Sequence, residues 1–178
     1  MISDWDCLTS ARNGDETAWQ RLIGRHHPRL IRMTFLITGS MHAAQDLVQE
    51  TFIRLLRLRA NPRGGCFSAY LSRIAFNLAL KEKKRAQRNR TLDGLNSVDK
   101  ASTPLEALLK KERDRCLTQV IGSLEENHRH ILVLRFYGEH SYEEIARITN
   151  LPLGTVKSRI FYAVKQCRKG LHEKGIIE

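Results

Sequence analysis

Apolar residues recur at helical spacing through most of the chain, and nowhere alternate long enough to make a strand. Asp15 to Gly24 predicts a short helix with Ala18 and Leu22 inward, broken by Gly14 before it and Gly24 after it. His27 to Thr38 predicts the next helix, and Ser40 then stands as N-cap for a long one from Met41 to Arg59. There Ala44, Leu47, Val48, Thr51, Phe52, Leu55 and Leu58 form one continuous face. Pro62, Gly64 and Gly65 make a loop of 60–67, and helix resumes from Ser68 to about Arg88 on Leu71, Ile74, Ala75, Leu78 and Ala79. Residues 89–103 are polar and aperiodic, as a flexible linker requires. Beyond them, Thr103-Pro104 opens a helix from Leu105 to about Ile121. Ser123-x-x-Glu126 reads as a capping box for another helix, which Gly138 closes.

The last stretch, Ser141 to Lys169, carries the most information. Ser141-x-x-Glu144 is a second capping box, and Ile145, Ala146 and Thr149 give a short helix its apolar face. Asn150 tolerates the left-handed conformation of a tight turn, and Pro152 suits the first position of a following helix. In that helix Val156, Ile160, Ala163, Val164, Cys167 and Leu171 should face a core, while Thr155, Ser158, Arg159, Tyr162 and Gln166 lie opposite. Six basic residues and no acidic one fall between Ile145 and His172. The pattern is that of a helix-turn-helix whose second helix enters a DNA major groove, or of a plain helical hairpin with a solvated basic face. The expected fold is therefore all-α: two small helical domains, residues 1–88 and 104–178, joined by the linker at 89–103, the second domain a helix-turn-helix.

Two further surfaces stand out. On the long helix, Asp46, Gln49, Glu50 and Ile53 share an outward ridge at i, i+3, i+4 and i+7. Carboxylates with an exposed apolar residue suit a protein partner better than DNA, although a solvated face looks the same. The end of the 68–88 helix carries Lys81, Lys83, Lys84, Arg85, Arg88 and Arg90 against Glu82 alone. That exceeds what complementing a helix dipole needs. With Phe67, Tyr70, Phe76 and Asn77 near the helix start, it suits a nucleic-acid strand whose bases stack and whose phosphates pair.

Composition narrows the choice. The 178 residues carry a net charge of +11 and a sequence pI near 9.9, clustered as above, which favours a polyanionic partner over a membrane surface. No run of about 18 apolar residues could span a bilayer, and the acidic N-terminus lacks the apolar core of a secretory signal. Cys7, Cys66, Cys116 and Cys167 lie about 50 residues apart with no C-x-x-C pair, as in a reduced cytoplasmic protein. His26-His27 and His128-x-His130 lack companions at metal-ligand spacing, and no nucleotide, zinc-protease or nucleophile-elbow motif occurs. The reading excludes an enzyme and calls for no metal or cofactor.

The strings AAQDLVQETFIRLLR (43–57), FSAYLSRIAFNLALKEKKR (67–85) and ILVLRFYGEHSYEEIARITNLPLGTVKSRIFYAVKQCRK (131–169) resemble the bacterial RNA polymerase sigma factors of the extracytoplasmic-function (group IV) class. The resemblance runs from about Asp15 to Leu171. It implies that Asp46, Gln49, Glu50 and Ile53 bind the clamp of the largest subunit of core RNA polymerase, with the flap region as a second contact. It implies that the 61–67 loop and the helix after it capture and hold minus-10 DNA, through Arg63, Gly64, Gly65, Phe67, Tyr70, Asn77, Lys81, Lys84, Arg85 and Arg88. Thr155, Lys157, Ser158, Arg159, Phe161, Tyr162 and Lys165 would read the minus-35 element of promoter DNA. The chain departs from the family at Tyr70, where tryptophan is frequent, and at Tyr162, where arginine is common. The resemblance further implies an anti-sigma factor as partner; the cysteine usage and the lack of a spanning run call for a cytoplasmic protein with no membrane insertion. Two rivals remain at this point: a free-standing helix-turn-helix regulator that binds an operator without polymerase, and a basic RNA- or protein-binding adaptor using the 81–90 tract.

Overall fold

The computed structural model describes residues 3–58, 66–93 and 112–177. These form eight helices: α1 (Asp4–Arg12), α2 (Glu16–Thr38), α3 (Met41–Leu56), α4 (Phe67–Asp93), α5 (Glu112–Ser123), α6 (Glu126–Phe136), α7 (Tyr142–Thr149) and α8 (Leu153–Glu173). Among the described residues there is no strand. The helices group as α1–α4 and α5–α8, so the all-α, two-domain expectation holds.

In the first domain α2 is the centre, packed by α1, α3 and α4. It is one continuous helix, not the two expected from Gly24 and Pro28. A proline inside a helix clashes with the carbonyl four residues earlier. Here that carbonyl belongs to Gly24, and the apolar stripe Leu22, Leu30, Met33 and Ile37 runs straight across the site. Tertiary burial outweighs the local break. The acidic N-terminal segment, assigned no element by periodicity, folds into α1 behind a capping box of Ser3 and Asp6. Arg12 of α1 donates to the Leu55 carbonyl at the end of α3 at 3.0 Å, tying the two helices. Ser40 caps α3 as expected, accepting from the Ala43 N–H at 3.3 Å.

In the second domain α8 is packed by α5, α6 and α7. The Ser141–Glu144 capping box forms in both directions, at 2.9 and 3.1 Å. Asn150 turns the chain in the left-handed region (φ 57, ψ 40), leaving three residues between α7 and α8. The buried face of α7 is Ile145 and Ile148, with Thr149 half-buried and bonded back to the Ile145 carbonyl. Pro152 is the cap of α8, one position before the expected one. The expected Ser123 capping box does not form. Ser123 ends α5 and donates to the Val120 carbonyl, while Glu125 takes the cap position of α6.

The two domains also pack on one another, α4 on α7 and α2 on α5 and α6. That explains α6, whose five consecutive residues His130 to Leu134 are all buried. A helix buried on every side has neighbours on every side. One side of α6 faces α8 and the other faces the first domain. α4 runs on to Asp93, past the start of the expected linker at residue 89. The remainder of that linker, and the helix start expected at Leu105, lie outside the described residues.

Candidate functional site

Three surfaces hold the residues singled out above. On α3, Ala44, Leu47, Val48, Thr51, Phe52 and Leu55 are buried, which turns Asp46 and Gln49 fully outward and leaves Glu50 and Ile53 half-exposed. Both carboxylates have i+4 or i−4 partners on the same helix. His42 Nδ1 lies 3.2 Å from Asp46, and Arg54 Nε lies 2.7 Å from Glu50. These exposed pairs contribute little to stability. They set the direction in which the two carboxylates point.

The second surface is α4. Asn77, Lys81, Lys84, Arg85 and Arg88 are exposed, as DNA contacts require. Phe67 is not. It is buried against Trp5 (ring centroids 4.9 Å, edge-on) and His26 (5.1 Å), so it anchors the start of α4 and presents no ring to a base. Phe76, grouped with the stacking aromatics on sequence, is likewise buried, against His130 of the second domain. Tyr70 is half-buried, tilted on Trp5 at 5.7 Å. The aromatic signal in this stretch was mostly a core signal, because α1 supplies a tryptophan that sequence periodicity did not place. Arg63, Gly64 and Gly65 lie outside the described residues.

The third surface is α8. Val156, Ile160, Ala163 and Cys167 are buried, and burial pushes the Cys167 thiol pKa up. Opposite them Lys157, Ser158, Phe161, Tyr162 and Lys165 are exposed, with Thr155 and Arg159 half-buried on the flank. Val164, expected in the core, is exposed as well. Phe161 and Tyr162 meet edge-on at 5.5 Å, and Tyr162 lies over the ring of His128 from α6, centroids 6.2 Å apart. The spacing of His128 and His130 bears only on metal binding; the contact of His128 with α8 is long-range and has no local signal. Among the described residues no group of three or more His, Cys, Asp or Glu could hold a metal ion.

The seam between the domains has no signature in the sequence pattern. Lys83 of the basic tract is turned inward and pairs with Glu126 at 3.0 Å. Burial alone would raise the Glu126 pKa, but the Lys83 hydrogen bond and charge hold it below the ordinary value. His130, beside Phe76 at 5.6 Å, has its pKa pushed down to about 4, chiefly by burial. Further along, Arg29 of α2 reaches Ser68 of α4 and lies 3.8 Å from Glu139. Glu139 sits at φ 54, a left-handed conformation costly for a residue with a side chain. Its neighbour His140 is fully buried, and burial together with Arg29 lowers its pKa.

Two protein families match the chain, Sigma-70 region 2 over residues 22–89 and Sigma-70 region 4 over residues 120–169. Among curated relatives, the RNA polymerase sigma-H factor of Pseudomonas aeruginosa is 31% identical, covering 94% of this chain and 93% of its own. The ECF RNA polymerase sigma-E factor of Escherichia coli (strain K12) is 30% identical over 92% and 91%. ECF RNA polymerase sigma factor SigW of Bacillus subtilis is 28% identical over 93% and 95%. Of solved structures, CnrH in complex with the cytosolic domain of CnrY superposes with a TM-score of 0.70 at 22% identity, covering 97% of this chain and 99% of that one. The sigma factor RpoE in complex with the anti-sigma factor NepR, from Bartonella quintana, superposes at 0.67 and 21% identity, covering 86% and 96%.

Proposed function

This chain belongs to the extracytoplasmic-function class of sigma-70 RNA polymerase sigma factors, which direct polymerase to initiate transcription; from that premise we propose how its surfaces divide the work. The α3 ridge of Asp46, Gln49, Glu50 and Ile53 binds the clamp of core polymerase, its carboxylates trading His42 and Arg54 for cations of the partner. The exposed face of α4, with Asn77 and the cations Lys81, Lys84, Arg85 and Arg88, holds minus-10 DNA around an unstacked base. Extruding a base costs a few kcal/mol, which contacts to that base and its phosphates offset. The outward face of α8 reads the minus-35 element. The protein catalyses no reaction; it positions the enzyme that does.

The observation that carries this reading is the separation of charge between outward faces. α3 shows carboxylates around one apolar residue, while α8 and the end of α4 show cations. A free-standing operator-binding regulator needs the α8 face and has no use for the α3 ridge. The two promoter elements lie about 25 base pairs apart, or about 85 Å along the duplex at 34–36 Å per turn. A globule of this length is about 40 Å across. Engaging both elements therefore requires the domain seam to open, and the packed arrangement is the resting form. No helix among the described residues is long and apolar enough to cross a membrane, and we place the protein in the cytoplasm with its polymerase. CnrH is in complex with the cytosolic domain of CnrY and RpoE with the anti-sigma factor NepR, and we propose an anti-sigma factor as a partner of this chain.

The test is co-elution of the purified protein with bacterial core polymerase, with Glu50→Lys as the variant. Glu50 is on the surface, so the variant keeps its helicity and melting temperature. It is expected to lose core binding; normal holoenzyme assembly by Glu50→Lys would remove the α3 ridge from the interface.

A further inference from the structure

The recognition helix exposes more apolar surface than a solvated helix face would. Of the five large apolar residues exposed among the described residues, three are on α8: Phe161 at 65%, Tyr162 at 53% and Val164 at 43%. Phe161 and Tyr162 straddle the centre of its outward face, between Ser158 one turn before and Lys165 one turn after. Both rings are held in place, edge-on to one another at 5.5 Å, with Tyr162 supported by His128 at 6.2 Å. Cations surround the pair at Lys157, Lys165, Arg168 and Lys169. An apolar centre with a cationic rim fits neither a lipid surface, which needs a broad apolar face, nor a basic protein. It fits the floor of a major groove between two phosphate backbones.

In that groove the only apolar group on any base edge is the C5-methyl of thymine, whereas guanine is read chiefly by arginine or lysine. The one arginine of the helix's first two turns, Arg159, is half-buried on the flank, away from the centre. Resting on the assignment of α8 to the upstream element, we infer that Phe161 and Tyr162 make this helix select thymine methyl groups at the centre of its site. His128 is a positioning residue that keeps the Tyr162 ring in its groove-facing rotamer.

The experiment uses holoenzyme assembled from the full chain and core polymerase. Duplexes retained by it are selected from a pool randomised across the upstream element and sequenced. Each recovered thymine is then replaced singly by deoxyuridine, which lacks only the methyl. Thymine is expected at central positions, and each deoxyuridine there should weaken binding about fourfold, the value of one buried methylene. Phe161→Ala and Tyr162→Ala should each abolish the deoxyuridine effect at one position, and His128→Ala should blunt it at the Tyr162 position alone. Guanine or cytosine at those positions, or indifference to deoxyuridine while Phe161→Ala still weakens binding, overturns the inference but leaves α8 as the reader. No recovered upstream sequence, with Lys157→Ala and Lys165→Ala equally silent, overturns both.

Discussion

Acidification should open the seam between the domains, and His130 sets the size of the effect. Its ring is buried against Phe76, with Glu126 3.6 Å away and Lys83 and Arg129 acting against its protonation. Its pKa in the closed protein is about 4, against 6.5 when free. The closed form thus resists a proton that the open form accepts. The stability this confers is complete above pH 6.5 and drains away as pH falls from there toward 4. Linkage caps the loss at about 1.4 kcal/mol at pH 5.5 and about 3 kcal/mol at pH 4, the limit in which opening the seam exposes the ring fully. His140, also lowered, adds in the same direction. Glu126, held low by Lys83, stays ionised through most of this window and does not confuse it. The assay is small-angle scattering from pH 7.5 to 5, with far-ultraviolet circular dichroism alongside. The radius of gyration should rise from about 16 Å toward roughly 20 Å or more with helicity retained. His130→Phe, which keeps the aromatic contact and removes the proton site, should shift that rise to lower pH. A radius that ignores pH, or a variant that expands in step with the parent, would refute the assignment of the seam to His130.

The Lys83–Glu126 pair makes a separate test of the same seam. Lys83→Glu opposes two carboxylates and should expand the protein at neutral pH, and adding Glu126→Lys should restore the compact radius. At Gly138 a Cβ would lie 2.6 Å from the Leu134 carbonyl and 2.7 Å from the His140 ring. Gly138→Ala should therefore cost about 1–3 kcal/mol by chemical denaturation, as overpacking does. Ser141→Ala removes the N-cap of α7 and should cost about 1 kcal/mol, read the same way.

The helices of this protein were legible because their signals are local. Ser141, Glu144, Asn150 and Ser40 act within one turn of the backbone they cap, and each behaves as its chemistry requires. The α3 ridge and the α8 face were legible for a related reason. Buried residues at helical spacing leave only one direction for what lies between them. Sequence reading failed where two local signals competed or where the partner was distant. Gly24 and Pro28 looked like a boundary, yet the apolar stripe on either side holds α2 in one piece. Phe67 and Phe76 looked like nucleic-acid contacts, because nothing nearby shows that Trp5 and His130 cover them.

An all-helical chain, a helix-turn-helix, an acidic ridge, a basic excess and membership of a family can all be read from residue order. That the two domains rest on one another cannot be, because it depends on contacts between helices distant in the chain. That contact turns Lys83 from a phosphate ligand into half of an ion pair, and makes His130 and His140 buried neutral groups. Periodicity tells a side chain which way to face relative to its own helix. Burial and proton affinity depend on what stands opposite, and that is set by residues tens of positions away.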